Sequence, residues 1–392
     1  MKSKLIGLLA ATAISLAANG TVQAQDILLG NLFAGAGPFA TLAHTNAIAA
    51  QMAVDEINAS GGINGKKLKI VSFDTAGKPD QAVVGLRKFA EDDKVMAIIG
   101  PFSSSECRVA FAAGERAGVV MMSMASSAPK LAEPFTYALR NTSDEGYMFR
   151  HLMKTLQDKK YPIATAAVAY ATDDVISKTM GEIVLPNIMK AAGTDVKLSV
   201  TFQTQAFDLS AQVSQLKATP TDLIGVGAGP DSAVRLAQEM HRQGVKGRLV
   251  AGSTIADSEL AKRMGADGNG TTIPTTFFGG ASDKAKKFDQ EFVKRSKAAG
   301  LDRSAASQFD AATYDIVMFY AHAMKESKVT GDPAKLAAER TSVRDFLRAM
   351  PPYPALEGLI SFGKNGDALK PVYIIEMQGG KWNLIATYAA GT

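Results

Sequence analysis

From Asp26 onward, short apolar runs of strand length alternate with longer stretches whose apolar residues recur at helical spacing. Residues 27–29, 68–73, 95–99 and 119–122 read as buried strands bounded by Gly, Pro or charged residues. Residues 41–58, 80–91 and 103–113 read as the helices between and after them. A second series begins near Pro162, with strands at 163–170, 196–202, 223–226 and 248–251. Its helices fall at 175–191, 209–216 and 231–243. Regular alternation of this kind predicts parallel strands joined by right-handed helical crossovers. Two such series predict an α/β chain of two Rossmann-like lobes with a cleft between them. Helices at 284–297 and 305–325 and closing strands at 372–376 and 382–387 are too few for a third core. The tail is therefore expected to complete both lobes through return crossings.

The first 24 residues break this pattern. Lys2 and Lys4 precede an apolar run from Leu5 to Ala18, and Val22-Gln23-Ala24 places small residues where a signal peptidase reads. A cleaved leader and export, most simply to a bacterial periplasm, are expected, with the cut before Gln25. No Cys lies near that cut, so a lipid anchor is not expected, and the run is short for a membrane span. The 392-residue chain has a formal charge of +5, and loss of the leader's two lysines brings the mature chain to about +3. Acids and bases are interspersed along the chain, which argues against nucleic acid as a partner. The single cysteine, Cys107, excludes an internal disulfide and reads as a small buried hydrophobe.

Catalytic signals are weak. Gly35-Ala36-Gly37-Pro38-Phe39-Ala40 has the spacing of a dinucleotide-binding turn. However, Pro38 removes one amide from the cradle, and the nearest strand-ending acid, Asp74, is too far along the chain. The four histidines lack metal-ligand spacing, and Ser103-Ser104-Ser105 lacks a nucleophile elbow. No cofactor, no metal and no catalytic residue are expected. Two serine-bearing turns remain, 100–106 and 123–129, each directly after a first-series strand. Ligands of open α/β sheets bind at such strand ends, where hydroxyls and free helix-start amides suit a carboxylate. Plain helix capping explains either turn alone; two on neighbouring strand ends favour binding.

At these residues the chain resembles the periplasmic receptors of branched-chain amino-acid type ABC importers. The long motif from Ala53 to Leu68 (Ala-Val-Asp-Glu-Ile-Asn-Ala-Ser-Gly-Gly-Ile-Asn-Gly-Lys-Lys-Leu) carries most of the resemblance. Gly37-Pro38-Phe39-Ala40, Asp80-Gln81-Ala82-Val83, Ile98-Ile99-Gly100, Pro129-Lys130-Leu131 and Phe207-Asp208-Leu209-Ser210 follow in the family's order. The resemblance implies a type I periplasmic binding fold closing like a hinged trap. Its N-terminal lobe would comprise 25–141 with 276–353, and its C-terminal lobe 142–275 with 354–392. It also implies a monomer that captures a small carboxylate and delivers it to permease subunits at the membrane.

Carried over by position, Ser104 and Ser127 would donate hydroxyls from serine runs that include Ser103 and Ser126. Phe102 would offer backbone and ring, and Ala125 a carbonyl. Leu42, Val175 and Ala228 stand where the family often has aromatic walls, and Thr254 where it has the acid that meets an ammonium. Small walls and a missing acid predict an aromatic or 2-oxo acid. Asp257 or Asp174 could instead supply the charge, which keeps an aliphatic amino acid as the alternative. A sensory ligand-binding module and an exported hydrolase are the rival classes.

Overall fold

The computed structural model describes residues 26–391, so the expected leader (1–24) lies outside the described residues. The first series is β1 (Ile27–Phe33), α1 (Ala40–Ala43), α2 (Asn46–Ala59), β2 (Leu68–Asp74), α3 (Pro79–Arg87), β3 (Ala97–Ile99), α4 (Ser104–Ala117), β4 (Val120–Ser123) and β5 (Ala138–Arg140). Its strands pair in parallel in the order β2-β1-β3-β4-β5. The helix expected over 41–58 is broken at His44–Thr45, where His44 Nδ1 turns back to Ala40 O at 2.7 Å.

The second series runs α5 (Glu145–Asp158), β6 (Thr165–Ala171), α6 (Val175–Thr179), α7 (Leu185–Ala191), β7 (Asp195–Phe202), α8 (Ser210–Ala218), β8 (Leu223–Gly227), α9 (Pro230–Gln243), β9 (Arg248–Ala251), α10 (Ser258–Met264) and β10 (Thr272–Thr275). A wide π-turn, Met180–Val184, joins α6 to α7, so the one helix expected over 175–191 is not regular. Helices α11 (Asp283–Ala298), α12 (Gln308–Glu326) and α13 (Leu336–Ala349) then return to the first sheet. There α12 lies along α2, and Tyr320 Oη donates to Ile98 O at 2.7 Å. A small antiparallel sheet, β11 (Tyr353–Ala355), β12 (Gly358–Phe362) and β13 (Ala368–Leu369), precedes β14 (Val372–Gln378) and β15 (Lys381–Tyr388). The second sheet is ordered β15-β14-β10-β9-β8-β6-β7, antiparallel only where β14 meets β10 and β15.

The chain thus passes between the sheets three times, at the segments after β5, after β10 and before β14. Residues 354–369, expected with the second lobe, sit on helices of the first. Phe319 of α12 meets Tyr353 and Phe362 edge-on at 5.5 and 5.6 Å. Asp367 pairs with the fully buried Arg140 at the end of β5.

A buried charged cluster ties the three crossings together. Lys370 pairs with Glu357 and donates to Asn141 O at 3.0 Å, while Thr276 stands near enough to Glu357 to lower that carboxyl's pKa. Asp315 of α12 accepts from Leu356 N–H beside them. Burial first, and Glu357 next, push its carboxyl up to about 7, against the pull of Lys370 and Lys284. The folded protein therefore keeps a proton that the unfolded chain releases. This group's contribution to stability falls as pH rises from the acid range through about 7. Asp315→Asn is expected to remove that part of the decline, read as a smaller difference in Tm between pH 5 and pH 8 than in the wild type.

Candidate functional site

The first-lobe wall of the cleft is made at the carboxyl ends of β3 and β4. Helix α4 starts there on a reciprocal cap: Glu106 N–H donates to Ser103 Oγ, and Ser103 N–H and Oγ donate to Glu106 Oε2 at 2.9 and 2.7 Å. Capping consumes Ser103 but leaves the first-turn amides of Ser104 and Ser105 without intrahelical partners. A 14-residue helix adds its positive end at the same point. Ser104 Oγ accepts only a long bond from Ala128 N–H, 3.3 Å. Ser127 Oγ, from the loop after β4, is buried with no partner at bonding distance, although it stands close enough to Glu145 to lower that carboxyl's pKa.

Around these hydroxyls the lining is Phe39, Phe102, Ser103, Ala125, Ile176, Thr254 and Phe309, which close to a space of only about 10 Å³. That is about the room one water needs and far below the ~300–1,000 Å³ of small-molecule pockets, so a solute can enter only when the lobes part. The three phenylalanines form a continuous wall, with ring centroids 5.7 Å (Phe39–Phe102) and 5.1 Å (Phe102–Phe309) apart. Phe39 reaches the cleft because the loop before it folds tightly onto the turn after β2. Gly37 adopts φ +82°, and a Cβ there would lie 2.3 Å from Ala76 O.

The lobes meet across this space. Ser105 Oγ donates to Asp174 Oδ1 at 3.4 Å, Gln308 Nε2 donates to Ser253 O at 2.8 Å, and Arg303 pairs with Asp257 in full burial. A larger hollow of about 560 Å³, lined by Trp382, Phe278 and Gly379 among others, lies apart from the serine turns. Neither Ser104 nor Ser127 lines that hollow, so the smaller cleft is the candidate site despite its size.

Several expected site residues fall elsewhere. Leu42 is fully buried in the core and does not line the cleft; the break at His44–Thr45 leaves Phe39, not Leu42, at the wall. Val175 gives way to its neighbour Ile176. Ala228 stays behind the wall, where its carbonyl accepts from Thr254 Oγ1 at 3.5 Å. Ser126 is buried outside the lining, with its carbonyl held by Arg140. Asp174 caps α6, bonding Ser177 N–H and Oγ at 2.9 and 2.7 Å. Asp257 caps α10 and neutralises Arg303, so its charge is already used. The roomy pocket expected from small walls is absent, because Phe39, Ile176 and Phe309 fill it. Phe39 stood in a motif already singled out, whereas Ile176 and Phe309 carried no signal beyond being apolar. Cys107 is buried as expected, its thiol pushed up to about 12 by desolvation.

A family profile described as periplasmic binding protein matches residues 26–381. The chain belongs to this family. As a periplasmic binding protein it falls in a family of solute receptors named for the compartment in which they work. An amino acid binding protein of Pseudomonas aeruginosa is 24% identical over 96% of both chains. A Leu/Ile/Val-binding protein of Rhizobium johnstonii is 25% identical over 92% of this chain and 93% of its own. In three dimensions, a branched-chain amino acid transporter binding protein of Streptococcus pneumoniae, solved with isoleucine, superimposes with a TM-score of 0.81. It is 22% identical and covers 93% of this chain and 99% of its own. A leucine binding protein of Thermotoga maritima gives a TM-score of 0.80 at 18% identity, over 93% and 99%. The type I periplasmic binding fold is therefore the one expected from the sequence, and the names of these relatives are of the branched-chain type that the resemblance implied. The preference for aromatic or 2-oxo acids finds no counterpart among these relatives.

Proposed function

We propose that this protein is an extracytoplasmic receptor of an ABC importer, exported by a cleaved leader, and that it captures an aliphatic α-amino acid of branched-chain type. The observation that carries the reading is the pair of hydroxyls, Ser104 and Ser127, facing a mostly apolar cleft at the start of α4. Hydroxyls and helix-start amides suit a carboxylate. Phe39, Phe102, Ile176 and Phe309 suit an aliphatic body, and Ala125 offers its carbonyl. The names of the relatives support the same class. Ligand binding draws the lobes together, and the closed form, acting as a monomer, hands its ligand to the permease.

In this reading the lobes are 25–141 with 276–369 and 142–275 with 370–392. Taking the third boundary later than the sequence implied is supported by the packing of β11–β13 against α12 and Arg140.

A thermal-shift series tests the ligand class. Leucine, isoleucine or valine is expected to raise Tm, with the rise growing with the logarithm of concentration once it exceeds Kd. Stabilisation by benzoate or 4-methyl-2-oxopentanoate, with none by these three amino acids, would overturn the reading.

A further inference from the structure

We propose that Glu145 is the positioning residue that makes this cleft require an α-amino group, its buried carboxylate acting through Ser127 and Ser253 as the counter-charge to the ligand's ammonium. The inference rests on the amino-acid reading above and names the residue behind it. Glu145 is the first residue of α5, directly after the first crossing, and is fully buried. Its carboxylate accepts from the backbone N–H of Ser253 and, at 3.0 Å, from Ser253 Oγ. Its own N–H donates to Ser127 O at 3.1 Å. Ser127 lines the cleft from the first lobe, and Ser253 is the neighbour of Thr254, which lines it from the second. The carboxylate therefore lies immediately behind the point where both walls meet.

The backbone is shaped around it. Gly252 leaves space that a Cβ would take from Glu145 Oε1, at 2.3 Å. Among the described residues no cationic side chain pairs with Glu145, whereas Asp257, Asp367 and Glu357 each have a buried partner. The other buried carboxylates near the cleft are occupied within their own lobe. Glu106 holds the α4 cap and Thr75, and Asp310 holds Ser307, Thr45 and Asn46 beside Arg303. Burial raises the Glu145 carboxyl above its ordinary range, the Ser253 amide and the two hydroxyls pull it back, and Asp144 adds to the rise. An ammonium arriving in the cleft relieves that cost, since a buried charge is stabilised chiefly by an opposite one.

Ser127 gives the coupling a direction. A hydroxyl donates once and accepts twice. When Ser127 donates toward the Glu145 carboxylate, its lone pairs face the cleft as a seat for N–H donors. The amides and hydroxyl of Ser104 are then left to take the ligand's carboxylate. A neutral side chain at 145 removes both the charge and that preference.

The test compares two probes on the mature protein by calorimetry: leucine and 4-methylpentanoate, which has the same carbon skeleton without the amine. Wild type is expected to favour leucine strongly. Glu145→Gln is expected to weaken leucine by about 100-fold, the scale of removing one partner of a buried charge pair, and to leave 4-methylpentanoate unchanged or tighter. Glu145→Met, similar in volume and without hydrogen-bonding demand, should give the same ratio and serves if the Gln variant does not fold; Glu145→Asp should restore part of the preference. A merely structural role would weaken both probes together and leave their ratio intact, and that result overturns the proposal. Wild type binding 4-methylpentanoate as well as leucine overturns both the proposal and the amino-acid reading. Wild type selective for leucine, with the variants equally selective, overturns the proposal alone.

Discussion

Replacing Ser104 and Ser127 together by alanine is expected to weaken amino-acid binding by two to four orders of magnitude while leaving Tm of the unliganded protein nearly unchanged. A hydrogen bond to a charged group contributes about 1.5–3 kcal/mol, so two lost at once amount to about 3–6 kcal/mol. The cost to folding is small because neither hydroxyl is needed for it. Ser127 Oγ has no partner at bonding distance, and Ser104 Oγ accepts one long bond. The helix cap that does matter, Ser103 with Glu106, is untouched. Ser103→Ala should show the converse: a loss of roughly 1 kcal/mol of stability from the missing cap. Calorimetric titration of the double variant with the best ligand of the thermal-shift series decides the matter. Affinity within threefold of wild type would show that the ligand's charged groups sit elsewhere.

The second large effect is expected at the hinge. Arg140 is fully buried at the end of β5, where its Nε and Nη2 grip Asp367 at 2.6 and 2.7 Å. Its Nη1 donates to Ser126 O and Ala128 O at 2.8 and 2.6 Å. One side chain thus fixes the loop that presents Ser127 and clamps it to the third crossing. Arg140→Met leaves Asp367 as a buried charge without a cation, held only by Asn365 Nδ2, and two carbonyls without donors. Breaking a buried pair from one side costs about 3–5 kcal/mol. In a chain of this size that is a fall in Tm of about 4–7 °C. Ligand affinity should fall as well, because the Ser127 loop loses its anchor. Arg140→Met combined with Asp367→Leu should recover most of the stability, since an apolar pair removes the stranded charge, but not the affinity. A single variant melting within about 2 °C of wild type would show that the pair has no such role.

Local pattern was enough to read most of the scaffold. The strands and helices of both series follow from apolar period and from Gly, Pro and Ser punctuation, and all but a few appear near their expected positions. Those missed have physical reasons. The strand β5 has only three residues. The strand β10 contains Pro274, which argues against a strand inside a sheet, and it is tolerated here in a segment whose pairing with β9 is registered only at Thr272. Helix α5 was legible in principle from the spacing of Met148, Leu152 and Leu156, but its first residue looked like an ordinary acid in a first helical turn.

The sequence by itself determined the two-series α/β order, the export signal as an expectation, and Ser104 and Ser127 at strand ends, because each depends on residues close together in the chain. Which side chains face one another across the cleft was decided only in three dimensions. Phe39 rather than Leu42 forms the wall because a helix breaks at His44–Thr45. Phe309 arrives from a helix some two hundred residues beyond Phe102 in the chain. Asp257 is lost to ligand chemistry because Arg303 folds onto it, while Glu145 lies behind the cleft with no cation paired to it among the described residues. Charge pairing and enclosure are long-range properties: the same carboxylate is a cap, an ion-pair partner or a specificity element according to what the fold sets beside it.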